Sequence, residues 1–231
     1  MGYLIFRGVS TASIPNVYVS QMPSHKKASM RFTEYYVKGR DGALHVDEGL
    51  ANFDIQVVLV LIKATAATRQ LVNAWADGTG KLVSSDDLTH CYNATVKEEI
   101  QWNRTAANGG FYDTATITFN CQPFMYETTD SVNVFTADGQ LSNPGSATAF
   151  PMIQVEGSGD CTFSVAGEEI TLTGVASGVP VYLDCANGYV YTGYGAREMT
   201  GNFPELPLGT SQVVVGTNVS KLTITPHWRW V

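Results

Sequence analysis

The sequence predicts a mainly β protein, built from antiparallel sheets with a single helix. Of its 231 residues, 44% are hydrophobic and only 15% are charged, and the chain contains 22 glycines and 11 tyrosines. This composition is typical of turn-rich antiparallel sheets, because glycine closes tight turns and tyrosine packs well on pleated surfaces. Short β-prone runs separated by turn residues recur along the chain, and one segment has helical periodicity.

The first half of the chain alternates β-prone runs with turns. Strands are predicted at residues 3–6, 17–20, 31–37, 44–46, 54–62, 81–83, 91–98 and 113–121. In the last of these, apolar residues alternate from Ala115 to Cys121, so we expect a half-buried strand. The polar segment 102–112 is predicted as a loop.

The helix is predicted at residues 65–76. One face of it carries residues at spacings of three and four, namely Thr68, Leu71, Val72 and Trp75. Thr65 is a suitable N-cap, and Gly78 ends the helix. We expect Leu71 and Trp75 to seal one opening of a β-sandwich.

Composition changes between residues 128 and 148, where small polar residues and turn signals such as Asp138-Gly139 dominate. We therefore predict an N-terminal domain at residues 1–130, a linker at 131–148 and a C-terminal domain at 149–231. Evenly spaced strands in the last domain are typical of a β-sandwich or jelly roll. They are predicted at residues 152–156, 161–165, 168–173, 179–185, 189–192, 211–215 and 221–228.

The charge of the chain bears on its partners. The formal net charge is −7 and the isoelectric point is about 5.0, and Lys26-Lys27 is the only adjacent basic pair. Since nucleic-acid affinity depends on clustered lysine and arginine, we predict no stable nucleic-acid binding. The longest apolar run, residues 57–62, is too short to span a bilayer, so we predict no membrane association. The N-terminus lacks a signal-peptide pattern, so we predict that the chain is made and folded in a cytoplasm.

No residue pattern predicts catalysis, a metal site or a cofactor. The four histidines lie in no recognisable nucleophilic frame, and His90 and Cys91 point to opposite faces of one strand. The pairs Asp47-Glu48 and Asp86-Asp87 lack a calcium-loop frame, so turn capping explains them better than a cation. We predict that the protein is not an enzyme.

The four cysteines lie far apart, without the spacing of a zinc site. We expect free, buried thiols. A disulfide between Cys161 and Cys185 is the alternative.

Four motifs carry a family resemblance: YVKGRDGALHVD at residues 36–47, WADGTGKLVSSDD at 75–87, ATITFNCQPFMYE at 115–127 and FPELPLGTSQVVV at 203–215. In this order they resemble the distal tail protein family of long-tailed bacteriophages, over nearly the whole chain. The positions that match the family motifs are Gly39, Arg40, Asp41, Gly42, Asp47, Trp75, Gly78, Gly80, Asp86, Asp87, Phe119, Pro123, Phe124, Tyr126, Phe203, Pro204, Leu206 and Gly209.

The resemblance implies an N-terminal β-sandwich with one helix and a projecting hairpin, followed by a smaller, galectin-like β-sandwich. It implies a virion structural protein, assembled in the host cytoplasm and located at the tail tip. In that family, N-terminal domains form a hexameric ring, the hub of the tail tip or baseplate. The ring joins the tail tube protein to the tail-associated lysin or receptor-binding protein, and DNA leaves through its centre.

A carbohydrate-binding module is the alternative hypothesis. Trp228 and Trp230 fall on one face of the last predicted strand, and with Tyr194 they could stack on a host glycan. A closing strand of a sandwich uses the same alternation to bury aromatic area, which is the interpretation we favour. The sugar-binding arrangement of galectins, a His with Asn-Pro-Arg, is matched only by Asn143-Pro144-Gly145 in the predicted linker.

Overall fold

The structure is a computed structural model that describes residues 2–23, 26–107 and 110–231. Its chain divides into two compact units, Met1–Thr128 and Thr129–Trp230, and each unit has a hydrophobic core of its own. Strands dominate both units, so the predicted mainly β class is confirmed. Within the described ranges, no helix combines the length and the apolar character needed to cross a bilayer.

The first unit contains one α-helix, α1 (Ala66–Trp75). Its strands are β1 (Leu4–Phe6), β2 (Val9–Ser10), β3 (Val17–Gln21), β4 (Met30–Tyr35), β5 (Leu44–Leu50), β6 (Phe53–Ile62), β7 (Thr79–Ser84), β8 (Asp87–Val96), β9 (Gln101–Ala107) and β10 (Gly110–Glu127). A continuous antiparallel sheet runs in the order β2-β1-β7-β8-β10-β6-β3, and β9 pairs with β10 as well. Strands β4 and β5 form a separate two-stranded ribbon.

The 18-residue strand β10 holds this sheet together. Its first part pairs with β6 and β9, with Ile117 opposite Val57, and its last part pairs with β8. The pairing with β8 is irregular between Cys121 and Met125, a stretch that contains Pro123, which has no N–H for the ladder. Strand β10 thus joins the two halves of the sheet, which surrounds a single hydrophobic core.

Helix α1 closes this core as the sequence predicts. Thr65 caps it, since its Oγ1 accepts a hydrogen bond from the backbone N–H of Thr68 at 3.1 Å. Trp75 is only 5% exposed, and its Nε1 donates to the carbonyl oxygen of Val9 at 2.8 Å. The prediction for Leu71 is wrong, because Val72 fills the core and Leu71 is half exposed.

The prediction of a loop at residues 102–112 is wrong for the residues that the structure describes, since they lie in strands. Residues 101–107 form β9, and β10 begins at Gly110; residues 108 and 109 lie outside the described residues. Strand β9 pairs with β10 and is largely exposed to solvent, so its side chains need no apolar alternation. This is why a polar sequence reads as a loop.

The second unit is a sandwich of two antiparallel sheets, ordered β11-β20-β13-β16-β17-β18 and β12-β19-β14-β15. Its strands are β11 (Asn133–Phe135), β12 (Gly139–Asn143), β13 (Met152–Gly157), β14 (Gly159–Val165), β15 (Glu168–Val175), β16 (Val181–Asp184), β17 (Tyr189–Thr192), β18 (Gly195–Ala196), β19 (Gly209–Val214), β20 (Val219–Thr225) and β21 (Arg229–Trp230). The core between the sheets includes Phe163, Ile153 and Leu183, each almost fully buried.

The segment predicted as a linker, residues 131–148, contributes β11 and β12 to this sandwich. They pair with β20 and β19 at the edges of the two sheets. Edge strands are short and polar because one side faces solvent, which explains the composition of the segment. That the two units fold independently, and where the boundary between them lies, remain predictions.

Candidate assembly surface

Strands β4 and β5, with the turn between them, form a two-stranded ribbon at residues 30–50. Tyr35 lies opposite Leu44, and Thr33 opposite Val46. At the tip, Gly39 and Gly42 have φ of +84° and +76°, a backbone region that side chains disfavour. The Gly-Arg-Asp-Gly motif lies within an eight-residue connection, residues 36–43, in which the N–H of Arg40 donates to the carbonyl oxygen of Val37 at 3.1 Å. The connection is longer than the tight turn that the sequence predicts.

The ribbon carries large apolar residues that are each between 40% and 77% exposed to solvent. They are Met30, Phe32, Tyr35, Tyr36, Val37, Leu44 and Val46. A single two-stranded hairpin is at best marginally stable in water, and clustered exposed apolar residues mark contact sites. The mixture of apolar and charged residues in both strands predicts a hairpin but not this exposure.

Polar contacts fix the shape of the ribbon. The Phe32 ring stacks on His45 with centroids 4.7 Å apart, and Nε2 of His45 lies 3.6 Å from Oε1 of Glu34. Tyr36 Oη donates to Glu34 Oε2 at 2.6 Å, and this hydrogen bond raises the pKa of Tyr36. Near the base of the ribbon, Asp47 Oδ1 accepts from the N–H of Gly49 at 2.7 Å, so Asp47 stabilises the bulge in β5.

The second motif packs the helix exit against the sheet. Trp75 meets Phe6 and Phe119 edge-on, with ring centroids 6.1 and 5.8 Å apart. Gly78 has φ of +81°, and a Cβ at Gly80 would come within 2.5 Å of the Arg7 side chain. These glycines leave room for a close crossing of two chain segments.

The two aspartates of this motif serve the β7–β8 turn. Asp86 is exposed, while Asp87 accepts hydrogen bonds from the N–H and Oγ1 of Thr89 at 3.0 and 2.6 Å. Those bonds, led by the Thr89 hydroxyl and joined by His90, hold the pKa of Asp87 well below its usual range. Asp87 therefore caps the turn, as the sequence predicts.

The other matched positions are structural. Phe119 is fully buried, and Pro123, Phe124 and Tyr126 are half-buried along the last part of β10. In the second unit, Pro204 and Leu206 are buried, Phe203 packs against the core, and Gly209 has φ of +91°. The motifs thus lie in both units and do not converge on one site; they define the fold.

The rings proposed for glycan stacking differ in exposure. Trp228 is 4% exposed and belongs to the second core, and Trp230 packs against that core. The strand predicted there ends at Thr225, before Pro226 and His227, whose φ is +53°. Only Tyr194, which is 89% exposed, offers an open ring face among the three.

A second surface of the first unit has no counterpart in the sequence motifs. Side chains of β3, β6, β9 and β10 that point away from the core form, beside residues 112–118 of β10, a face without a charge at neutral pH. This neutral face consists of Tyr18, Gln56, Val58, Val60, Ile62, Gln101, Asn103, Thr105, Tyr112, Thr114, Thr116 and Thr118.

Sequence reasoning also missed a buried carboxylate. Asp113 is 3% exposed and lies between two arginines, with Oδ2 2.6 Å from Nε of Arg69 and Oδ1 2.7 Å from Nε of Arg104. The hydrogen bond from Arg104, and then that from Arg69, lower the pKa of Asp113 against the opposing effect of burial. The trio ties α1 to the β9–β10 pair and uses contacts that no local spacing reveals.

Other chemistry is limited in the part of the chain that the structure describes. It contains no group of three or more His, Cys, Asp or Glu side chains placed to hold a metal ion. Cys161 and Cys185 are separate buried thiols, so the alternative of a disulfide between them is wrong. Burial raises the pKa of Cys185 to about 12, which makes this thiol unreactive at neutral pH.

The fold of this chain is a curled sheet with one helix and a separate ribbon in the first unit, followed by a β-sandwich in the second. The chain has the same fold as the crystal structure of Dit from phage SPP1, with a TM-score of 0.76 over 100% of both chains and 16% sequence identity. That protein is described as a paradigm of the hub adsorption apparatus in phages that infect Gram-positive bacteria. The resemblance seen in the sequence motifs is confirmed at the level of fold.

More distant likenesses are found to chains of the phage p2 baseplate in its activated conformation. With Ca, the TM-score is 0.46 at 10% identity, covering 96% of this chain and 97% of the other. With Sr, it is 0.47 at 8% identity, covering 97% of both. Scores below 0.5 add nothing to the fold assignment. No protein-family model matches the chain, and no curated protein sequence does.

Proposed function

We propose that the chain is a structural protein of a phage tail tip, in which six first units form a ring that serves as the hub of the baseplate. The ring would join the tail tube protein to a tail-associated lysin or receptor-binding protein, and DNA would leave through its centre. The fold shared with SPP1 Dit supports this function. Assembly in the host cytoplasm and location at the virion tail tip follow from the same proposal.

The ribbon is the observation that carries the proposal. It holds seven large exposed apolar side chains in 21 residues, yet it pairs with no other strand among the described residues. Burying such side chains against another chain releases about 25 cal/mol for each Å² of apolar surface removed from water. A neighbouring copy that receives the ribbon would supply this burial.

The edge of the sheet gives further support. Strand β3 ends the sheet order, and its sequence VYVSQ contains neither a charge nor a proline. Proteins usually protect open edge strands with lysine, proline or a covering segment, because unpaired backbone groups recruit other strands. An edge strand that lacks lysine and proline suits a protein whose copies meet head to tail, and head-to-tail contacts that close under rotation form rings.

Aspartates in the ribbon test the ring. Leu44→Asp with Val46→Asp would bury two unpaired carboxylates at the contact, so we expect association to weaken by at least about tenfold. Light scattering and negative-stain images of the full chain, alone and with tail partners present, measure it. The matched control is Val132→Asp with Val134→Asp, which are 59% and 58% exposed in the second unit and should leave the ring intact.

Either of two results would refute this proposal. A chain that stays monomeric at all concentrations, even with tail partners, has no hub function. A ring that tolerates both ribbon aspartates is held by another surface.

The alternative, a carbohydrate-binding module, loses most of its basis. Its hypothesis depended on exposed rings, and Trp228 is buried while Trp230 packs on the second core. Tyr194 alone has an open face, and a single tyrosine in a loop gives little discrimination between sugars.

A further inference from the structure

The neutral face differs in chemistry from the rest of the first unit. Residues 1–128 contain 23 charged side chains, yet none of the twelve outward residues of this face is charged. Charged side chains border the face at one end, where Asn120 Nδ2 donates to Asp54 Oδ1 at 2.8 Å and Lys97 Nζ donates to Asn120 Oδ1 at 3.0 Å. Lys81 lies farther along the sheet, on β7, two strands from β10 and opposite Asn93.

The side chains of the neutral face are also mostly short, and most of them can form hydrogen bonds. Thr114, Thr116 and Thr118 alternate along β10, and their β-branched side chains are stiff and project little. Seven of the twelve residues are threonine, glutamine or asparagine, which remain hydrated when water has access. Buried between two protein chains, each of these groups would need its own partner, at a cost of about 1–3 kcal/mol when one is missing.

We infer that the neutral face lines the channel of the ring and faces duplex DNA in transit; this inference rests on the ring proposed above. Duplex DNA carries one negative charge about every 1.7 Å along its axis, so a wall with lysine or arginine would retain it through counterion release. A strongly acidic wall would oppose its entry. A hydrated wall without charge neither retains DNA nor opposes its entry. The two tyrosines of the face cannot stack on bases, because the bases of a duplex are already stacked on one another.

Lysines placed on the face test its position. Thr116 lies opposite Gln101 near the centre of the face, so Thr116→Lys with Gln101→Lys adds a cross-strand pair of cations there. The matched control is Thr223→Lys with Gln154→Lys, a cross-strand threonine and glutamine pair on β20 and β13 of the second unit. The readouts are ring formation by light scattering and retention, at low salt, of linear duplex DNA and of the same sequence as a covalently closed circle.

Only linear DNA can thread a closed ring. We expect the Thr116 and Gln101 variant to form rings and to retain linear duplex at least about tenfold more strongly than the closed circle. The control should form rings and show no preference for linear DNA. If the double variant does not fold by circular dichroism, Thr116→Lys alone takes its place with the same expectation.

Three outcomes overturn the inference. A folded variant that no longer forms rings places the face between copies. Equal retention of linear and circular DNA places it outside the ring, and so does a variant ring that retains neither. If the unsubstituted chain forms no ring, the proposed function fails instead.

Discussion

The two units of the chain have different surfaces. Residues 1–128 contain eleven lysines and arginines and twelve aspartates and glutamates, a net charge of −1. Residues 129–231 contain three basic and nine acidic residues, a net charge of −6. The acidic balance that we used against nucleic-acid binding therefore comes almost entirely from the second unit.

This difference indicates a division of roles. Copies of a nearly neutral first unit can approach one another without mutual repulsion, and its ribbon offers apolar area for contact. Copies of the acidic second unit repel one another, which opposes self-association and favours contact with other proteins. The comparison predicts that changes in each unit will have separate effects.

The largest effect is expected from emptying the first core. Trp75→Ala removes a ring that contacts Phe6 and Phe119 and a hydrogen bond to Val9, so we expect a loss of about 3–5 kcal/mol in the stability of the first unit. Calorimetry should show two melting transitions, of which only that of the first unit shifts. Leu71→Ala, on the exposed face of the same helix, is the control and should cost less than about 1 kcal/mol.

A shift of both transitions together would contradict the division into independently folding units. A loss under about 1 kcal/mol for Trp75→Ala would instead move this side chain from the core to an interface role.

A smaller effect is expected from the buried carboxylate. Asp113→Ala leaves Arg69 and Arg104 without their anion, but both guanidinium groups can reach water, so we expect a loss of about 1–3 kcal/mol. Denaturant unfolding of the first unit measures it. Glu98→Ala, an exposed acid next to β9, should change stability by less than about 0.5 kcal/mol.

The same residue gives the first unit a pH dependence. Because its arginine partners lower the pKa of Asp113, its contribution is present above the unfolded value of about 3.9 and is lost as pH falls through the folded value. In the second unit, burial raises the pKa of Asp184, but hydrogen bonds from Asn187, Tyr189 and Ala186 together outweigh it and the net shift is downward. Both units should therefore lose stability below about pH 4, and Asp113→Ala should flatten only the curve of the first.

The smallest effect is expected from sugars. With Trp228 buried, we expect the full chain to show no saturable binding on a glycan array, and Tyr194→Ala to change nothing. Clear binding that is lost in Tyr194→Ala would restore the carbohydrate hypothesis and give the second unit a host-facing role.

Much of the fold was predictable because local patterns carry it. The apolar alternation of β10 from Ala115 to Cys121, the Thr65 cap and the glycine turn at Gly39 and Gly42 act over a few residues, and each was predicted in the right place. Strands β9, β11 and β12 were missed because edge strands keep one side in water and need no apolar pattern.

The candidate surfaces were less predictable. The hairpin of the ribbon could be seen in the sequence, but exposure of Phe32 and Val46 depends on what the rest of the chain does not cover. The neutral face needs the register of four strands, which sets Thr116 beside both Gln101 and Val58. The contacts of Asp113 join residues far apart in sequence, so no motif announces them.

The length of β10 has a consequence for synthesis of the protein. This strand pairs with β6, β8 and β9, and it is the last strand of the first unit to leave the ribosome. Until Glu127 emerges, β6 and β8 lack their common partner, and only pairings that do not use β10, such as β4–β5, β7–β8 and β3–β6, can be complete. The first unit therefore completes its sheet late and in one step, so newly made chains carry an exposed apolar ribbon before they carry a finished sheet. A host chaperone would meet the protein in that interval.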